Sequence, residues 1–196
     1  MALTDRVQAI LLRPRETWPV IDAEPTTTSE LYQSYIMPLA AIGPVAQVVG
    51  TVIFGTAAGV VGAGLSLGLV IVTSIFAYVL TLASLYVIAI IIDQLAPSFG
   101  GQRDMQKALK VAAYSSTPQW IVAIVALVPV IGILSILGLY SFYLVYLGLP
   151  VLMRSPQDRA ITYTIACVLV AIVVTVAVGV VIGIVVALLA ALAFFV

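Results

Sequence analysis

From Val111 to Met153, and again from Ala160 to Val196, the chain carries no charged residue. A helix that crosses a bilayer needs about 20 apolar residues at ~1.5 Å rise each. Each run is therefore long enough to cross at least once. A third charge-free run covers Leu31 to Ile92. With 63% hydrophobic and 8% charged residues, the chain lacks the polar side chains to cover a water-facing globule. A soluble enzyme, a nucleic-acid-binding protein and a disordered chain are excluded on that ground. A polytopic membrane protein remains, with the lipid bilayer as its first partner.

The charges fall in three groups. Asp5, Arg6, Arg13, Arg15, Glu16, Asp22, Glu24 and Glu30 precede the first run. Asp93, Arg103, Asp104, Lys107 and Lys110 follow it, and Arg154, Asp158 and Arg159 precede the last. The run Leu31–Ile92 holds two spans, with the Gly-rich stretch Gly55 to Gly64 as the break. The region from about Met105 to Met153 holds two more, broken between Pro129 and Gly132. The last run holds one. This predicts an all-α integral membrane protein with a five-helix bundle. Residues 1–30 form an amino-terminal segment, and the spans lie near 31–54, 65–92, 105–128, 132–153 and 160–194. Five spans place all eight Arg and Lys on one side, which the positive-inside bias makes the cytoplasm. The amino terminus is then inside and the carboxyl terminus outside. No apolar core follows the first basic residues within residues 1–30, so no cleavable signal peptide is expected.

Leu3, Val7, Ile10 and Leu11 share one helical face in the amino-terminal segment, which predicts an amphipathic helix lying at the membrane interface. Pro14 suits the first turn of a second short helix carrying Trp18, a residue that favours the headgroup level. Docking of a cytoplasmic partner is the other reading of this segment. Thr27-Thr28-Ser29-Glu30 matches a capping box, and Pro38 and Pro44 predict a kinked first span. Ser66, Thr73, Thr81 and Ser84 form a hydroxyl stripe on the second span, read as packing glue worth about 0.6 kcal/mol per contact. Gly132, Ser135, Tyr143, Tyr146 and Pro150 share a face of the fourth span. In the last span Cys167, Ala171, Thr175, Gly179, Gly183, Ala187 and Ala191 recur every fourth residue. Small residues at that spacing let helices approach closely, either within the bundle or between two copies of the chain.

The candidate site is polar. If Lys110 sits at the headgroups, Ser115, Ser116, Thr117 and Gln119 lie roughly 7 to 14 Å deeper. Pro118 frees the carbonyl of Tyr114 there, giving either a structural kink or a ligand pocket. Asp93, Tyr143 and Tyr146 are the groups best placed to converge on it. Asp93 itself is expected to pair with Lys107 or Arg103 at the interface. The chain has no histidine and one cysteine. That leaves no imidazole or thiolate cluster for a metal, and no cofactor is expected. No nucleophile–base pair is readable within the spans, so the chain is not expected to be an enzyme.

Four stretches carry a family resemblance. Leu12-Arg13-Pro14-Arg15-Glu16-Thr17-Trp18 comes first, before an Ala-Glu-Pro turn. Ala96-Pro97-Ser98-Phe99-Gly100-Gly101 and Val111-Ala112-Ala113-Tyr114-Ser115-Ser116-Thr117-Pro118 follow. Together with Tyr140-Ser141-Phe142-Tyr143-Leu144-Val145-Tyr146-Leu147-Gly148-Leu149-Pro150, the chain resembles the bacterial branch of the Yip domain family. The resemblance implies a five-span bundle with a cytoplasmic amino terminus, in a bacterial inner membrane. Eukaryotic relatives are associated with Rab-type GTPases and vesicle traffic. No catalytic residue carries over, and the amino-terminal segment here is short compared with those relatives. Two functions are expected to compete. One is a membrane-organising or trafficking-type adaptor that contacts other membrane proteins or itself. The other is a transporter, channel or lipid-handling protein using the kinked first and third spans.

Overall fold

The computed structural model describes residues 2–54, 67–125 and 139–194. These are helical, with no strand among them. Two ten-residue helices come first, α1 (Leu3–Leu12) and α2 (Pro14–Ala23). Pro14 occupies the first turn of α2, where its missing N–H costs nothing.

The next helical stretch starts at the expected capping box. Thr27 accepts from the Glu30 N–H, and the Glu30 carboxylate accepts from the Thr27 N–H. The stretch then runs through α3 (Thr28–Leu31), a π turn (Tyr32–Ile36), α4 (Met37–Ala40) and α5 (Ile42–Phe54). Pro38 cannot donate to the carbonyl four residues back, and the widened turn lies directly before it. The second interruption, at Ala41, precedes Pro44 in the same way.

The helix α6 (Leu67–Leu95) is continuous and leads into a 3-10 turn at Ala96–Phe99. The expected third span is divided at Ser116 into α7 (Met105–Ser115) and α8 (Thr117–Val125), with Pro118 second in α8. The pair α9 (Tyr140–Leu152) and α10 (Gln157–Phe194) completes the chain.

Three of these stretches are long and apolar enough to cross a membrane. They are Thr28–Ile53, Leu67–Phe99 and Gln157–Ala191, with mean hydropathies of 1.8, 2.6 and 3.2. The third and fourth expected spans are shorter as described. Ser116 breaks one, and α9 has 13 residues. The expected breaks at 55–64 and 129–132, with Ser66, Gly132 and Ser135, lie outside the described residues.

The core sits at one end. The π turn, the lower half of α6, α7, the last turns of α9 and the first turns of α10 surround Tyr35, Ala89, Leu109, Leu149 and Tyr163, all buried. The amino-terminal helices belong to this core. Ile10 and Trp18 are fully buried, and Leu3, Val7 and Leu11 pack against them. The apolar face of α1 therefore meets protein, and Trp18 is an interior residue where a headgroup-level anchor was expected.

Candidate functional site

All three charged segments converge on this end, held by named contacts. Arg103 donates from Nε and Nη2 to Asp93 Oδ2, at 3.0 and 2.9 Å. Of the two cations expected for Asp93, Arg103 is the one it pairs with. The Gln102 N–H donates to the Met153 carbonyl at 2.8 Å, tying the second charged loop to the end of α9. Gly100 turns with φ +75°, and a Cβ on Gly101 would lie 2.8 Å from the Met153 oxygen. Only glycine suits both demands.

Lysines fasten the amino-terminal pair to α7. Lys110 donates to the carbonyls of Ile21 (2.8 Å) and Glu24 (2.5 Å), at the carboxyl end of α2. A cation there satisfies orphan carbonyls and meets the negative end of the helix dipole. Lys107 pairs with Asp22 at 2.6 Å, and Arg6 pairs with Glu24. Thr17 donates to the Arg13 carbonyl (2.7 Å) and lies within bonding distance of that of Ala9 (3.0 Å), joining α2 to α1. Tyr140 donates to the Leu11 carbonyl at 2.9 Å, joining α9 to α1.

Below this clasp lies an aromatic floor. Trp18 meets Tyr114 edge-on at 6.2 Å between ring centroids, and Tyr114 lies 4.5 Å from Tyr35. The Tyr35 hydroxyl bonds Thr117 Oγ1 at 2.7 Å. On its other side Trp18 lies against α9, where a Cβ on Gly148 would stand 2.8 Å from the ring.

The residues expected to converge are spread out. Thr117 is fully buried against Tyr35. Ser116 donates back to the Ala112 carbonyl at 2.8 Å, and Ser115 is buried with no partner for its Oγ among the described residues. Gln119 is exposed. Tyr143 and Tyr146 are 38% and 37% exposed, Tyr143 against Tyr140 and Tyr146 facing a different cleft. Asp93 is engaged with Arg103. The cleft beside Pro118, about 270 Å³, is lined by Leu11, Ile121, Val122 and Tyr140 and is nearly all apolar. A polar cavity of about 360 Å³ lies elsewhere and includes Arg6, Glu24, Ser34, Tyr35 and Tyr114.

The hydroxyl stripe of α6 bonds its own helix. Thr73 donates to Leu69, Thr81 to Ala77 and Ser84 to Thr81. Ser74 reaches Gln47 of α5 at 3.5 Å, and tyrosines supply further interhelical bonds: Tyr32 to Leu82, Tyr78 to Met37 and Tyr163 to Ile92. A tyrosine buried in an apolar span must find an acceptor, and that rule applied to every tyrosine would have found them. On α10, Cys167 is buried and Ala171 half-buried, whereas Thr175, Gly179, Gly183, Ala187 and Ala191 are exposed. A Cβ on Gly179 or Gly183 would meet nothing within 4 Å.

The sequence model for the Yip1 domain matches residues 9–179. The chain belongs to the Yip1 domain family. It is an apolar, helical membrane protein of that family, and its lipid-facing helices contact the bilayer. No curated protein matches the chain, and no solved structure matches it. The matched region begins inside α1 and includes Lys107 and Lys110 with their partners Ile21, Asp22 and Glu24, whereas Arg6 precedes it. The lysine contacts are therefore part of the Yip1 domain itself. Chemically, the clasp's ammonium and guanidinium groups are engaged by the chain's own acids and carbonyls, an arrangement that holds the amino-terminal helices in place.

Proposed function

We propose that this Yip1 domain protein is a non-enzymatic membrane adaptor, whose working surface is the amino-terminal helix pair mounted on the charged end of the bundle. One observation carries the reading. The pair is fixed from beneath by Lys107, Lys110 and Tyr140, while Asp5, Gln8, Arg13, Arg15 and Glu16 face outward. A rigid, charged, solvent-facing platform is what a partner protein can read.

The proposal includes a five-span topology with the platform in the cytoplasm and the carboxyl terminus outside. Its support is the gathering of the three charged segments at one end. That requires an even number of crossings between successive segments, and α10 adds the last. In a bacterium this is the inner membrane.

Reporter fusions test the topology. Alkaline phosphatase after Gln157 is expected to be inactive, and after Val196 active. Equal activity at both positions contradicts five spans. Cross-linking in native membranes tests the platform. The charge-reversed pair Arg13→Glu with Glu16→Arg is expected to lose the wild-type cross-linked partners while melting at the wild-type temperature. Unchanged partners, or solute flux by the purified protein in liposomes, would count against the adaptor.

A further inference from the structure

A second cleft at the charged end, about 400 Å³, opens where α2, the end of α9 and the start of α10 meet. Arg15 and Gln157 line it together with Trp18 and Tyr146, and Leu147 and Val151 give it an apolar wall. Its lining contains one guanidinium and no carboxylate. The nearest acids in sequence, Glu16 and Asp158, are exposed and stand outside it.

Two independent features give the cleft a preference for anions. Its Gln157 side is the first turn of the 38-residue helix α10, the positive end of that helix's dipole. Trp18 is fully buried, and its indole N–H has no hydrogen-bond partner among the described residues. An unpaired buried donor is costly, and native structures keep few of them. Trp18 is part of the cleft's lining, so a head group seated there lies beside the residue that carries this orphan donor.

We propose that the cleft binds the head group of an anionic phospholipid. The phosphate faces Arg15, Gln157 and the start of α10, and the acyl chains run along the apolar wall. The surroundings favour a lipid over a free phosphate ion. The wall continues onto α10 through Ile161 and Ile165, which are 60% and 54% exposed. A free ion would leave that apolar surface uncovered, whereas a lipid covers wall and cation together.

The test uses the full chain in nanodiscs of equal phosphatidylglycerol and phosphatidylcholine, with retained lipid counted by native mass spectrometry. Wild-type protein is expected to retain phosphatidylglycerol preferentially. Arg15→Gln, an exposed substitution, is expected to lower that retention about tenfold, the worth of one charge-assisted hydrogen bond. Arg13→Gln removes the same charge two residues away, outside the cleft, and is expected to retain lipid as wild type does. Melting temperatures confirm that both variants are folded. Equal loss in the two variants would reduce the effect to diffuse surface charge and overturn the site. Equal retention of the two lipids would overturn it as well. So would Arg15-dependent binding of inorganic phosphate by detergent-purified protein that shows no preference for phosphatidylglycerol.

Discussion

The two ends of α10 differ sharply in what surrounds them. Near its start, Tyr163 is fully buried, donates to the Ile92 carbonyl and stacks on Phe99 at 4.9 Å. Sixteen and twenty residues later, a Cβ added at Gly179 or Gly183 would meet nothing within 4 Å, and Val173 and Val180 are 67% and 56% exposed. From Ala160 onward the helix carries no charge at either place. What distinguishes them is what they touch: protein at the charged end, and at the other a surface suited to lipid. Apolar burial between helices carries little driving force inside a bilayer, because lipid tails are as apolar as leucine. Order there must come from close packing and polar contacts, and the charged end concentrates both.

If that contrast is right, substitutions at the charged end destabilise and matching ones on outer α10 do not. Trp18→Ala is expected to be the most damaging. It empties the space between Tyr114 and Gly148 and should cost about 3–5 kcal/mol, read as a lower melting temperature in detergent. Lys110→Met comes next. It leaves the Ile21 and Glu24 carbonyls without their donor and should cost about 2–3 kcal/mol. Limited proteolysis should then cut between α2 and α3 faster than in wild type. The smallest effects form a pair that puts the comparison at risk. Gly148→Ala drives a methyl group into the rigid indole and should cost roughly 1–3 kcal/mol. Gly183→Ala places the same methyl group in open space and should stay within about 0.5 kcal/mol. A destabilisation at Gly183 as large as that at Gly148 would mean that the small-residue row packs against something, such as a second copy of the chain.

The difference between the ends also explains what could be read from sequence. Charge placement is legible because charges avoid lipid, so the meeting of Asp93 with Arg103 and of the three charged segments follows from their positions. The capping box at Thr27 and the break before Pro118 are local backbone chemistry, and local chemistry survives any tertiary context. The faces of apolar helices are another matter. Leu3, Val7 and Ile10 have the period of an amphipathic helix, and that period is the same whether the partner is a bilayer or a protein core. Trp18 illustrates the ambiguity, since its residue type fits both a headgroup layer and the floor it forms under the lysine clasp. Cys167 and Gly183 lie in one four-residue repeat, yet only the first is covered in the single chain. The polar site shifted for a related reason. Ser115, Ser116 and Thr117 stand out as an interruption of an apolar run, and a hydroxyl can satisfy itself locally, as Ser116 does on Ala112. Arg6, Glu24 and Tyr35 come together only through the docking of α1 and α2 onto α7, which no local pattern announces.

That docking is the claim on which the rest stands, and amide hydrogen exchange on the full chain in nanodiscs measures it directly. If α1 and α2 are part of the folded charged end, the hydrogen-bonded amides of α1 (Val7 to Leu12) and of α2 (Thr17, Trp18 and Val20 to Ala23) should exchange as slowly as those from Ala108 to Ala113 in α7. In Lys110→Met they should speed up while the α7 amides change little. Fast exchange of these α1 and α2 amides in the wild-type protein, with α7 protected, would contradict the account by showing the amino-terminal helices to be loosely attached to a bundle that folds without them.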